Sequence, residues 1–348
     1  MGTIYLIGLG LGTLAQVNSE AFEAAEKVDE LYLDTYTSFL ERSLLDELKK
    51  RFSEKLIEAD RGLLEEDISE IVSKARDKDI GILVPGDPMI ATTHLSIMVE
   101  AAKKNISCKI IHGTSAYCAV ISASCLHAYK FGRTTTIPKS GVGVETCYRV
   151  IAENMERGLH SLILLDTADG GLAIPEALEF LLKVEEKLGL GIFSENLLVI
   201  CLARIGFMDE FKWAGKMRNA LTNPYPPPPH SIVIPGELHF SEAEALKMIL
   251  RADPTAVDEH KPARHWKSRI EKYLKNVENV LRSLSFCSDE RESRDLVDVA
   301  KSYLEDSRHF RSSGDLFNAL AAISYAEGLL DALRELRKVE FTWKPDSR

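Results

Sequence analysis

The segment Ile4–Thr13, IYLIGLGLGT, is a β-branched apolar run that breaks into glycines at every second position. Behind it, Ala15–Val28 carries apolar residues at helical spacing, so the stretch reads as strand, turn, helix. That arrangement suits a nucleotide-like ligand at a strand end. The spacing, however, departs from the dinucleotide fingerprint, whose third glycine would fall at Thr13, whereas this chain places it at Gly12. A tight strand-to-helix turn uses glycines equally well, because only they tolerate positive φ and close backbone approach. The run therefore sets an α/β beginning and leaves its ligand open.

Working outward, strand-like segments TIYLIG, ELYLD, IGILVPG and CKIIHG alternate with charged amphipathic stretches as far as His112. This rhythm predicts a mostly parallel sheet covered by helices, a first α/β domain over residues 1–112. A second α/β domain is predicted over 113–255, with strands TTTIP, SLILLD, LLVICLAR and HSIVIPG and helices at Gly143–Arg157 and Ile174–Leu188. The prolines of NPYPPPPHSIVIPG lack amide donors and restrain their predecessors, so an extended lead into a strand is forced there. After RADPTAVDEHKPAR, whose prolines predict a hinge, strand signals cease. WKSRIEKYLKNVENVLRSL, LVDVAKSYLEDSRHFRSSGD and LFNALAAISYAEGLLDALRELRKV predict three antiparallel helices in an all-α domain over 262–342.

Bulk properties exclude several classes. The 348 residues exceed one typical core, and 45% hydrophobic with 28% charged residues is an ordinary globular composition. The net charge of −10 argues against a general nucleic-acid binder, which needs a basic face. No run looks as apolar and as long as the roughly 18 residues of a membrane span, and the start lacks a basic signal region, so a cytoplasmic protein without a membrane partner is expected. Six cysteines stand singly, which predicts buried reduced thiols and neither a zinc site nor a redox dithiol. There is no Ser-His-Asp constellation, no metal-ligand spacing and no glycine-lysine phosphate loop, so any chemistry falls to a positioned reactive cofactor.

Several predicted strand ends carry small or polar groups. In ILVPGDPMIATTH, Ile82–His94, two prolines bracket a rigid turn holding Asp87. A carboxylate there accepts hydrogen bonds either from a ligand or, as an Asx turn, from its own backbone. In IIHGTSAYCAV, Ser115 opens a helix, as a ligand contact or simply as the N-cap. Leu165 and Asp166, Ala203, and His230 stand at further strand ends, and a histidine beside a polyproline run has a structural reading too.

Taken together, IYLIGLGLGT, LDTYTS, VPGDPMIATTH, IIHGTSAYCAV, AYKFGRTTTIP, ERGLHSLILLD and PPHSIVIPGELHFSEAE resemble the archaeal-type diphthine synthase family, within the tetrapyrrole methylase superfamily. The resemblance runs over about Met1–Pro254. It implies two α/β domains with a cleft that binds S-adenosyl-L-methionine, so that the glycine loop is a wall of that cleft and no dinucleotide fingerprint. It implies donor contacts, mostly through backbone atoms, at Leu11, Asp87, Ile90, Ser115, Ala116, Leu165, Ala203 and His230. It implies successive N-methylation of a modified histidine of elongation factor 2, and a homodimer. No metal and no catalytic base are implied, because an α-amino group titrates near pH 8 and water can take its proton.

Two stretches depart from the family. IPKSGVGVETCYRV lacks its usual tryptophan and proline, and TADGGLAIPEAL replaces a lysine-containing stretch; both are expected to face the acceptor. A tetrapyrrole or corrin-precursor methyltransferase, or a donor-binding regulatory protein without turnover, therefore stand as alternatives. The tail, through SGDLFNALAAISYAEGLLDAL, resembles a small all-helical archaeal domain family of unknown function.

Overall fold

In the computed structural model, which describes residues 2–263, 265–287 and 291–343, five parallel strands surround the opening run. They are β1 (Thr3–Gly8), β2 (Glu30–Asp34), β3 (Leu56–Ala59), β4 (Ile80–Val84) and β5 (Ser107–Ile111), in the order β3-β2-β4-β1-β5. Central β4, IGILV, is buried throughout, as expected of a parallel strand with helices on both faces. One face packs Ile4, Leu6, Ile82 and Val84 against Ile71, Val72, Ile97 and Ala101, and the other packs Ile7, Leu31, Leu33 and Leu83 against Ala21, Ala25, Leu44 and Leu48. Edge strand β3, LIEA, was not expected. Its alternation is too short to register, and only the pairing Leu31↔Leu56 to Asp34↔Ala59 makes it a strand.

The second sheet contains β6 (Thr135–Ile137), β7 (Ser161–Leu165), β8 (Leu198–Ala203), β9 (Phe211–Lys216) and β10 (His230–Ile234), in the order β6-β7-β10-β8-β9. Here only β6 and β7 run parallel; β10 is antiparallel to both β7 and β8, and β8 to β9. The proline-rich approach to β10 forms no helix, but it bends at Pro227 and Pro228, with a cis bond between Pro228 and Pro229, where an extended lead was expected. Strand β9, FKWAGK, escaped sequence reading because its polar residues face outward at an edge.

The chain divides into two compact units, Met1–Pro262 and Ala263–Arg348, and both sheets belong to the first. The segment expected to be a hinge is corrected in part: Pro254–Asp258 is helical. Pro254 opens it, where a missing amide costs nothing, and the Asp253 side chain accepts a hydrogen bond from Thr255 N at 2.9 Å. Ala256 and Val257 are buried in the core of the second sheet, and His260 Nε2 donates to Gly236 O at 2.9 Å. Arg264, the last residue of that segment, lies outside the described residues, as do residues 288–290 of the tail.

The second unit holds helices His265–Ser283, Arg291–Ser313 and Leu316–Glu335 around Ile270, Val277, Leu304, Ile323, Ala326 and Leu330. A two-residue pairing, Ser285–Phe286 with Val339–Glu340, was not foreseen. Contrary to the expectation that no segment is suited to a membrane, Leu316–Glu335 meets that measure by length and composition. Its stripe Ala319, Ile323, Ala326, Leu330 and Leu333 is buried among the other helices. The cysteine expectation also needs amending: all six thiols are free, but Cys118 and Cys287 are exposed while Cys147 and Cys201 are buried.

Candidate functional site

Three strand-end loops of the first sheet meet backbone to backbone. Gly10 N donates to Gly86 O at 3.2 Å, Gly86 N to Gly10 O at 2.7 Å, and Leu9 N to Val84 O at 2.9 Å. A Cβ on Gly8 would lie 2.4 Å from Gly113 N, and one on Gly113 would lie 2.3 Å from Gly86 O. The alternate glycines of the opening run thus answer a demand for close packing between loops, with Gly10 and Gly12 also at φ +71° and +101°. Gly86 differs: it sits at φ +85°, and a Cβ there would meet nothing within 4 Å, so its open side is cavity.

Asp87 follows, buried. Its Oδ1 accepts from Met89 N at 2.9 Å, which is the Asx turn, and its Oδ2 lies 2.8 Å from His112 Nδ1. Ser115 caps its helix by accepting from Tyr117 N at 3.1 Å. At the end of the GDPMIATTH motif, buried His94 contacts Asp34 Oδ2 at 3.3 Å through Nε2, and Pro88 O at 3.3 Å through Nδ1. The buried Asp34 carboxylate also accepts from Tyr36 N and Thr37 N, each at 2.9 Å. Burial pushes the Asp34 carboxyl up, but the contacts with His94, Thr37 and Tyr36 outweigh it and hold the group below its usual range. The motif thereby fixes residues 34–37 to the aspartate loop.

The second sheet supplies the facing wall. Asp166 accepts from Lys139 N and Ala168 N, each at 3.0 Å, and Lys139 Nζ donates to Asp169 O, so the two family-divergent stretches are tied together. Thr167 Oγ1 donates to Thr37 O at 3.1 Å, joining them to the first sheet's loop. Burial raises the Asp166 carboxyl, yet the amides of Ala168 and Lys139 and the charge of Arg61 bring it below its ordinary value.

Between these walls lies a cavity of about 480 Å³, within the range of small-ligand sites. Leu11, Asp87, Ile90, Ser115, Ala116 and Leu165 all line it. Ala203 and His230 are not among its lining residues. They are paired and buried in β8 and β10, and the wall there is Ile205 and Pro229. His230 Nδ1 accepts from Ile174 N at 3.3 Å and Nε2 donates to Pro226 O at 2.7 Å, which occupies both ring nitrogens. Burial lowers the pKa of this ring. Sequence reasoning missed Tyr36, Arg61, Glu65, Phe207 and Pro229 in the lining. Tyr36 lies two residues past the predicted strand ELYLD, a usable signal; Arg61 and Glu65 follow the unrecognised β3 and had none. Among the described residues no cluster of metal-ligating side chains exists.

A model of the tetrapyrrole (corrin/porphyrin) methylases matches residues 3–218. The chain belongs to that family. This methylase is 37% identical over 251 residues to a protein named diphthine synthase from Methanococcus maripaludis, covering 71% of this chain and 98% of the relative. A diphthine synthase from Methanocaldococcus jannaschii is 36% identical over 253 residues, with the same coverage. The methylase also superimposes on a crystal structure of diphthine synthase with a TM-score of 0.67 at 31% identity, over 74% of this chain and 99% of the other. Residues 272–339 match a separate domain family of unknown function.

Proposed function

We propose that this methylase is a diphthine synthase, an S-adenosyl-L-methionine-dependent transferase that successively methylates the amino group of the modified histidine of elongation factor 2. The observation that carries this reading is the single cavity lined by Leu11, Asp87, Ile90, Ser115, Ala116 and Leu165, six donor-contact positions drawn from four loops far apart in sequence. Its fit to the donor is supported by the bare wall at Gly86, where any side chain would enter the cavity, and by a volume suited to a nucleoside-sized ligand. Ala203 and His230 support the same wall from behind, by holding the strand ends that carry Ile205 and Pro229. The diphthine synthases among the relatives favour a protein acceptor over a tetrapyrrole.

Bound there, the donor supplies an electrophilic sulfonium methyl. The chain's own task is alignment: an in-line displacement gains most of its rate from holding the amine at near-attack distance. A free α-amino group is already partly neutral near pH 8, so no side chain is assigned as base. Assembly as a cytoplasmic homodimer through the α/β unit belongs to the same proposal. The test is incubation of the full chain with labelled donor and elongation factor 2 bearing the aminocarboxypropyl-histidine intermediate. Label on the acceptor is expected, and none at millimolar donor would refute the assignment.

A further inference from the structure

Tyr36, Arg61 and Asp166 line the same cavity and are not among the donor contacts proposed above. Arg61 is the only cation among the described lining residues. It heads an unusual five-residue π turn, Gly62–Glu66, opened by Asp60 Oδ1 accepting from Leu63 N at 2.9 Å and closed by Asp67 N donating to Gly62 O at 3.0 Å. Such turns recur at functional sites because they swing side chains off the regular helical path.

The guanidinium of Arg61 lies over the Tyr36 ring, 5.2 Å from its centroid, and its Nε is 3.6 Å from Glu65 Oε1. Glu65 is itself held by Thr93 Oγ1 at 2.9 Å. The Tyr36 ring and Glu65 flank the guanidinium on these sides, while its two Nη groups hydrogen-bond to none of the described residues. A guanidinium with both Nη groups unengaged can take a carboxylate with two parallel hydrogen bonds. The side chain is 65% exposed, so it stands where a group arriving from solvent would meet it. Asp166 lines the same cavity, and the amides of residues 139 and 168 keep its carboxylate in place. Of the three carboxylates among the described lining residues, Glu65 contacts Arg61 and Asp87 contacts His112, so the lining offers one cation, Arg61, and a further carboxylate, Asp166, a combination complementary to an amino acid's α-carboxylate and amine.

We propose that Arg61 is the specificity residue that binds the α-carboxylate of the acceptor's aminocarboxypropyl group, with Asp166 accepting a hydrogen bond from the amine and so orienting it. This rests on the function proposed above. Asp166 orients and does not deprotonate, since a carboxylate held ionised by amide donors is a weak base. The donor also carries an α-amino-carboxylate, so the experiment must separate the two.

The full-length protein, Arg61→Ala, Arg61→Gln and Arg61→Lys are compared at saturating donor with the modified elongation factor, and donor affinity is read separately by calorimetry. The acceptor KM should rise about 10- to 100-fold in Arg61→Ala and Arg61→Gln, the usual weight of a charge-assisted pair, with a smaller rise in Arg61→Lys. kcat and donor affinity should stay within about threefold, as expected for a contact made equally in ground and transition states. An acceptor peptide with that carboxylate converted to a carboxamide should lose the same factor with the unsubstituted enzyme and none further with Arg61→Ala. Equal use of carboxylate and carboxamide by the unsubstituted enzyme would overturn the inference, and so would an unchanged KM in folded Arg61→Ala. A loss of donor affinity with acceptor KM unchanged would assign Arg61 to the donor and likewise overturn it. These outcomes leave the methyltransferase reading intact; absence of any turnover by the unsubstituted enzyme refutes that reading, and the inference with it.

Discussion

Gly113→Ala isolates the packing of the three loops that floor the cavity. The added Cβ would lie 2.3 Å from Gly86 O and 2.8 Å from both Gly10 N and Gly8 C, all backbone atoms that cannot rotate away. Relief to an ordinary contact needs a shift of about 1 Å, which the hydrogen bonds between Gly10 and Gly86, at 2.7 and 3.2 Å, cannot survive unaltered. Overpacking costs about 1–3 kcal/mol and each of the two weakened backbone hydrogen bonds about 0.5–1.5 kcal/mol, so a total of about 2–6 kcal/mol is expected. For a unit of this size that lowers the melting temperature by roughly 4–10 °C. Calorimetric melting gives the stability and titration with S-adenosyl-L-methionine gives the affinity, which should fall with the displaced Gly86 wall. Gly86→Ala is the matched control. It meets no atom within 4 Å but takes a side chain to φ +85°, so it should cost only about 1–2 kcal/mol while its Cβ obstructs the cavity. If Gly113→Ala melts with the native protein, or is less destabilised than Gly86→Ala, the reasoning from loop contact is wrong.

Asp87→Ala removes the partner of Met89 N and of His112 and should weaken donor binding by about 1–3 kcal/mol in calorimetry; unchanged affinity would leave Asp87 with the turn alone. Stability should fall on acidification. Burial lowers the pKa of fully buried His160 from 6.5 to about 4, so between those values the unfolded chain binds a proton that the native state refuses. Its contribution, about 3 kcal/mol, is complete above pH 6.5 and lost toward pH 4. Glu242 extends the loss in the same direction. Burial pushes it up, but Lys130 at 2.5 Å and the amides of His239 and His127 hold it at about 2, below its unfolded value of 4.5. A urea midpoint that stays level from pH 7 to 4.5 would contradict this. Truncation after Pro262 keeps the His260 bond to Gly236 O and the 3.0 Å ion pair of Glu259 with Lys216, and should leave a folded protein whose donor affinity is within about twofold. Insolubility of the truncated chain would show that the first unit depends on the second.

The order of elements was legible in the chain wherever a segment is buried on its own account. Strands β1, β4, β7, β8 and β10 are continuous apolar runs, and helices such as Ile174–Leu188 carry their own periodicity and start signals. Strands β3 and β9 were illegible because an edge strand takes its structure from a partner, and LIEA and FKWAGK carry too little apolar pattern without one. The segment after Arg251 misled for a related reason: a proline marks a helix start as readily as a break, and only the buried faces of Ala256 and Val257 decide between them. At the site, motif resemblance located the loops, since glycine and proline spacing is local. Which residues of those loops reach the cavity is a tertiary matter. Ala203 and His230 are buried where β8 pairs with β10, and both His230 nitrogens are occupied there. Arg61 reaches the cavity because an edge strand, a π turn and the face of Tyr36, 25 residues away in the chain, are brought together only by folding.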